Sequence, residues 1–312
     1  MIKGLAITPP ILGRITIGRV IERDGKRLPE KDDQFTITSQ IQTRDGWLTH
    51  PLDEELRARA DGKKLRAIPV RMLFNDADLN LRAEYSLFDR NTGRPVCVGN
   101  GETCRRATAN GIQNLPCPSP NACEFAGKGG CKPYGRLNVR IGDEDELGTF
   151  IFRTTGYNSI RTLMARLRYL QAVSGNLLAC LPLEMRLRGK STTQSHRAPI
   201  YYADLTVRGG MTLEQAITAA RAENTKQLDA GIDQEALDQA ARIGFENAAF
   251  EDDEEETPDI LEELYTGEET VQKTPGEPAG MAASTKATLE FGSAPTCVEA
   301  PENNLECDAT CA

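Results

Sequence analysis

The chain has 312 residues, 39% of them apolar, and a net charge of −9. That length allows one large domain or two small ones plus a tail, and the low apolar share predicts that part of the chain is not packed. No apolar run approaches the roughly 20 residues needed to cross a bilayer. Residues 1–6 run almost directly into Pro9-Pro10 without the apolar stretch of a secretion signal, so the expected location is cytoplasmic. The charge is divided: residues 1–210 carry +10 and residues 211–312 carry −19. A basic body beside an acidic tail keeps nucleic acid among the candidate partners, with the tail competing for the same surface.

Ile15, Ile17 and Val20 lie in one extended run and Phe35, Ile37 and Ile41 in the next. Segments 65–74 and 79–88 follow, and the second alternates apolar and polar residues as a half-buried strand does. A turn signal at 89–93 leads to Cys97. Segment 99–135 is rich in Gly, Pro, Asn and Cys and is expected to have little regular structure and little core of its own. Strands are predicted at 136–141 and 149–153, around a solvated acidic tip at 143–146. A helix capped by Asn158 or Ser159 runs to about 173, with Ile160, Leu163, Met164, Leu167 and Leu170 on one face. Strands near 183–187 and 199–207 flank a polar loop at 189–197. Thr212-Leu213-Glu214-Gln215 has capping-box spacing and opens a helix through about 222. Another helix fits 233–247. From 251 onward Glu, Asp, Pro, Gly, Thr and Ser dominate, the composition of a disordered tail.

The nine cysteines stand at 97, 104, 117, 123, 131, 180, 297, 307 and 311. The odd count in an expected cytoplasmic chain argues against a disulfide framework. The spacing Cys104-x12-Cys117-x5-Cys123-x7-Cys131 offers four thiolates, enough to close a tetrahedral shell around zinc at about 2.3 Å from each sulfur. The metal would supply folding energy that the Gly/Pro-rich segment lacks. Cys97 is an alternative to Cys104 as the first ligand. An iron–sulfur cluster, or four free thiols, are the competing readings. A catalytic zinc needs an open coordination position and usually His or carboxylate ligands. His50 and His196 stand in no HExxH pattern, so the expected metal is structural and the protein is not an enzyme. GxxxxGK[ST] and GxSxG are absent. Cys297, Cys307 and Cys311 receive no role. The predicted fold class is therefore α+β: a β-rich mixed body (1–210) containing the zinc loop (99–135), a helical extension (211–248) and a disordered acidic tail (249–312).

Two further features bear on partners. Arg161, Arg166 and Arg168 on the 158–173 helix, with Arg186, Arg188, Lys190 and Arg197, are candidate phosphate contacts, and Tyr134, Tyr157, Tyr169, Tyr201 and Tyr202 are candidates for stacking on bases or for the core. In the tail, Thr257 can cap a helix, Pro258 suits its first position and Asp259 complements its positive end. Ile260, Leu261, Leu264 and Tyr265 would then share one face. Such a helix is short enough to fold only on docking, to a partner's groove or back onto the basic body.

Three stretches carry a family resemblance: Gly101-Glu102-Thr103-Cys104, then Cys117-Pro118-Ser119-Pro120-Asn121-Ala122-Cys123, then 130–137 (GCKPYGRL), continued by 152–160 (FRTTGYNSI). Together they resemble the cysteine region of recombination directionality factors of the phage phiC31 type, over about residues 1–210. The resemblance implies a zinc-containing protein that binds a large serine integrase on its DNA sites and redirects it from integration to excision. On elements with a tyrosine integrase, it implies service to DNA replication or recombination machinery instead. Only the zinc ligands carry over residue by residue. The alternative reading is a DNA-binding accessory protein, for single-stranded or duplex DNA, of phage or element replication.

Overall fold

A computed structural model describes residues 10–247, apart from 24–25, 44–45, 61–63, 90–91, 93, 128–129, 144–147, 192, 194–196 and 198. Two long strands open the chain, β1 (Ile11–Arg23) and β2 (Lys26–Thr43), paired antiparallel. After β3 (Gly46–Thr49) comes a helix that the sequence reading missed, α1 (Pro51–Arg59). His50 is its cap: its Nδ1 accepts from the Leu52 N–H at 3.2 Å, Pro51 begins the first turn, and the imidazole meets the Phe150 ring edge-on at 5.0 Å. The predicted strand at 65–74 is shorter, β4 (Ala67–Arg71), and the next begins with a helical turn, α2 (Ala77–Asn80), before β5 (Leu81–Phe88).

Segment 99–135 departs most from expectation. β6 (Pro95–Gly99), β7 (Thr103–Thr108) and β8 (Gly111–Pro116) form an antiparallel extension of the sheet. The β7–β8 turn closes through Gly111, at φ +96, whose carbonyl accepts from the Thr108 hydroxyl at 2.7 Å. The chain returns along β9 (Lys132–Ile141) and β10 (Thr149–Thr154). Asp143, expected in a solvated tip, is bound by Arg71 and Arg208, which hold its carboxyl down at about 2. Residues 144–146 of that tip lie outside the described residues.

Helix α3 (Tyr157–Val173) buries Leu163, Leu167 and Leu170, as its periodicity predicted. Its start differs: Gly156 is the cap, and the Ser159 hydroxyl instead accepts from the Ala203 N–H at 3.1 Å, tying α3 to the sheet. Strands β11 (Leu183–Lys190) and β12 (Ile200–Val207) pair antiparallel. Helix α4 (Leu213–Asp229) begins with the predicted capping box, both halves formed, and runs a further two turns beyond the expected end. Helix α5 (Gln234–Asn247) follows.

Twelve strands connect, in the order β3-β2-β1-β10-β9-β5-β6-β7-β8, with β4, β11 and β12 branching from the end of β9. β1 and β10 run parallel; the other pairs are antiparallel. The fold is thus α+β and β-rich. Strand alternation sends Ile15, Phe35, Leu81, Leu137 and Phe152 to one face, where α3 and Ala216 and Ala220 of α4 complete the core. Alternate positions Arg14, Arg82, Arg136 and Arg153 point to the other face. No helix among the described residues is long and apolar enough to cross a membrane. The tail residues Ile260, Leu261, Leu264 and Tyr265, with Cys297, Cys307 and Cys311, lie outside the described residues.

Candidate metal centre

The floor of the site is three adjacent strands. On one face, Tyr85 and Leu87 of β5 stand opposite Gly99 and Cys97 of β6. These in turn stand opposite Cys104 and Arg106 of β7. The walls follow β8: Cys117, whose N–H donates to Glu102 O at 2.8 Å, then Cys123 after a 3-10 turn at Pro120–Ala122, then Cys131 just before β9. Five cysteines, 97, 104, 117, 123 and 131, therefore line one small cavity, with Phe125 beside them. Both Cys97 and Cys104, left as alternatives by the sequence, face it.

The β6–β7 connection is a fixed knuckle. Asn100 Oδ1 accepts from the N–H groups of Glu102 and Thr103, each at 2.9 Å, and Gly101 takes φ +99. Gly99 occupies the centre of the floor because nothing larger fits. A Cβ there would lie 2.6 Å from Cys104 Cβ and 3.0 Å from Cys117 Sγ. Gly99→Ala is expected to push both cysteines outward and to cost about 1–3 kcal/mol by overpacking, read as a lower urea midpoint at unchanged slope.

Burial raises the Cys131 thiol to about 12, and the other four cysteines add to the effect. Burial, a hydrogen bond with Cys97 and the charge of Cys97 and Cys117 raise Cys104 to about 11. Five thiols so close cannot share anionic charge without a cation. Arg106 is the positive group on the site: it hydrogen-bonds Cys97, and its guanidinium lies 3.9 Å from the centre of the Phe125 ring. The sequence reading missed Arg106, although it stands two residues after Cys104 on a strand and so must share its face. The donor chemistry suits zinc, since any four of these thiols would close a tetrahedral shell. Among the described residues, however, no three His, Cys, Asp or Glu side chains are drawn into metal-holding geometry.

The other predicted site residues are placed elsewhere, and most have intramolecular partners. Arg166 and Arg188 both donate to the buried carboxylate of Asp204, at 3.1 and 3.2 Å. Arg168 pairs with Asp78, Arg186 with Glu184, and Lys190 with the Asn158 carboxamide. Arg161 and Arg197 are exposed, the latter in a turn at φ +64. Arg161, Arg166 and Arg168 lie on α3, and Arg186, Arg188 and Lys190 on the neighbouring β11–β12 hairpin, well separated in the chain from the cysteine cavity. His196 lies outside the described residues. Cys180 is a core residue whose thiol donates to Gln227 Oε1 at 3.4 Å.

The family described as Gp3-like, recombination directionality factor-like, matches residues 12–208. The chain belongs to this family. The matched stretch runs from β1 to the end of β12 and includes the cysteine cavity; α4, α5 and the acidic tail lie beyond it. Comparison with curated proteins and with solved structures gives no match. Membership of a recombination directionality factor-like family places the protein with accessory factors of DNA recombination in phages and mobile elements, which act with recombination machinery.

Proposed function

We propose that the chain is a zinc-containing regulator of site-specific recombination that binds a recombinase on its DNA sites and biases the direction of the reaction. The family match over 12–208 carries this reading. The cysteine cavity supports its metal: Cys104, Cys117, Cys123 and Cys131 would hold zinc, with Cys97 beside them on Arg106. Zinc there would fix the 117–131 wall against the β5–β7 floor, a structural role. No residue of the chain is assigned to catalysis.

The test is to purify the protein with the recombinase encoded on the same element. A stable complex is expected, as is a shift from joining of the two integration sites toward recombination of the two excision sites. A protein that retains its metal yet neither binds that recombinase nor changes the product ratio would reject the reading. The second reading, a DNA-binding accessory protein, draws on the +10 charge of residues 1–210 and on the exposed Arg161 of α3 and Arg197 after β11. It predicts duplex or single-strand binding without any partner, with affinity falling steeply as salt rises.

A further inference from the structure

Four thiolates around a divalent ion keep a surplus of negative charge. In the cysteine cavity that surplus is not left to solvent, because Cys97 and Cys104 are buried and Cys117, Cys123 and Cys131 are partly buried. Buried charge calls for a counter-charge held by the protein itself. Among the described residues that line the cavity, Arg106 alone carries a positive charge.

The fold aims this side chain at the sulfurs. Arg106 stands two residues after Cys104 on β7 and directly opposite Cys97 on β6, so strand alternation sends it to the cavity face. Its guanidinium hydrogen-bonds Cys97 and lies 3.9 Å from the centre of the Phe125 ring. Phe125 belongs to the wall, between Cys123 and Cys131, so the stack ties the floor of the site to its wall. The Nε–H of Arg106 is buried and has no acceptor among the described residues. A buried donor left unmatched is costly, and a thiolate drawn in by a metal would supply the acceptor. Arginine suits the position because it stays charged, is weakly hydrated and stacks on aromatic faces.

We propose that Arg106 is the positioning cation of the metal site: held on Phe125, it donates to the thiolate sulfurs, offsets their surplus charge and so sets how tightly zinc is bound. The inference rests on the zinc reading of the cavity and is independent of the recombinase.

The test uses the full chain, stripped of metal under reducing conditions and titrated with zinc against a chromophoric chelator. Arg106→Met keeps an apolar side chain on Phe125 and removes the charge, whereas Arg106→Lys keeps the charge. The Met variant is expected to bind zinc about 10–100-fold more weakly than the native chain, the range typical for loss of a group that supports metal ligands, with the Lys variant in between. Cobalt(II) then reports on the sulfurs directly. Its sulfur-to-metal charge-transfer band should move to lower energy in the Met variant, because a thiolate that loses a hydrogen bond gives up its electrons more readily. A role in packing alone would leave the Met variant with native affinity and an unmoved band, and that result overturns the proposal. A Lys variant that binds no better than Met also overturns it, since charge would then not be the cause. Both outcomes presuppose native protein that binds zinc; native protein that binds none rejects the zinc reading itself, and the role of Arg106 with it.

Discussion

Cys131→Ser and Cys104→Ser are each expected to lower bound zinc from about one per chain to near zero, measured by elemental analysis after preparation without chelators. The two residues approach the cavity from different elements: Cys104 from the floor, Cys131 from the end of the wall. A structural zinc contributes on the order of 10 kcal/mol to the segments it joins. The wall has little else to hold it, for Phe125 is half exposed and Cys117, Cys123 and Cys131 are only partly buried. Loss of the metal should therefore open the 117–131 segment to protease while leaving α3 and the sheet core intact. Cys97→Ser separates the two candidate first ligands. If Cys104 is the ligand, the Cys97 variant keeps its zinc; the reverse result would hand the role to Cys97. A native protein that holds no zinc at all would remove the metal from the proposed function without touching the family assignment.

The sequence was most readable where local pattern and tertiary packing agree. The α3 leucines recur at helical spacing and are buried at that spacing, and the Thr212–Gln215 capping box is a contact three residues long. The β7–β8 hairpin was not readable. Its strands, TCRRAT and GIQNLP, show no apolar alternation, because much of the hairpin is exposed. Backbone pairing and the Gly111 turn hold it, not a buried stripe. Helix α1 was hidden for a different reason: its PLDEELRAR sequence is mostly polar, and its cap is a histidine, outside the usual Ser, Thr, Asp and Asn.

The site divided in the same way. The four spaced cysteines were visible as a set, and the fold brings them to one cavity. That Cys97 joins them depends on register, since it faces the site only because β6 pairs with both β5 and β7. Arg82 on β5 stands opposite Arg136 on β9, which follows it by more than one strand in the chain, and no local pattern marks the two as neighbours. The arginines that looked exposed and available on α3 and β11, by contrast, largely serve Asp204, Asp78 and Glu184. A long polar side chain can either pair internally or face a partner, and composition does not distinguish the two.

Asn80→Ala is expected to be the most damaging single change outside the cysteine site. Asn80 is fully buried and uses its whole carboxamide. Its Oδ1 accepts from the N–H groups of Leu73 and Phe74 at 3.0 and 3.1 Å, and its Nδ2 donates to the carbonyls of Phe74 and Asp76 at 2.7 and 2.8 Å. Alanine would leave two buried N–H groups and their neighbouring carbonyls unmatched, at a cost of about 3 kcal/mol. For a body of this size that corresponds to a Tm lower by roughly 6–12 °C. The damage should spread to α5, because the clamped segment is its docking surface. Leu73 O accepts from Gln234 at 3.0 Å, Asn75 N–H donates to the Asp238 carboxylate at 3.1 Å, and Phe74 packs on Phe245. Amide exchange should therefore accelerate in α5 as well as in 72–80, while α3 remains protected. Asn80→Asp, which keeps the acceptor and removes the donor, should fall between the native protein and the alanine variant. A loss below about 1 kcal/mol for alanine would mean that water replaces the carboxamide, and that the 72–80 turn does not depend on it.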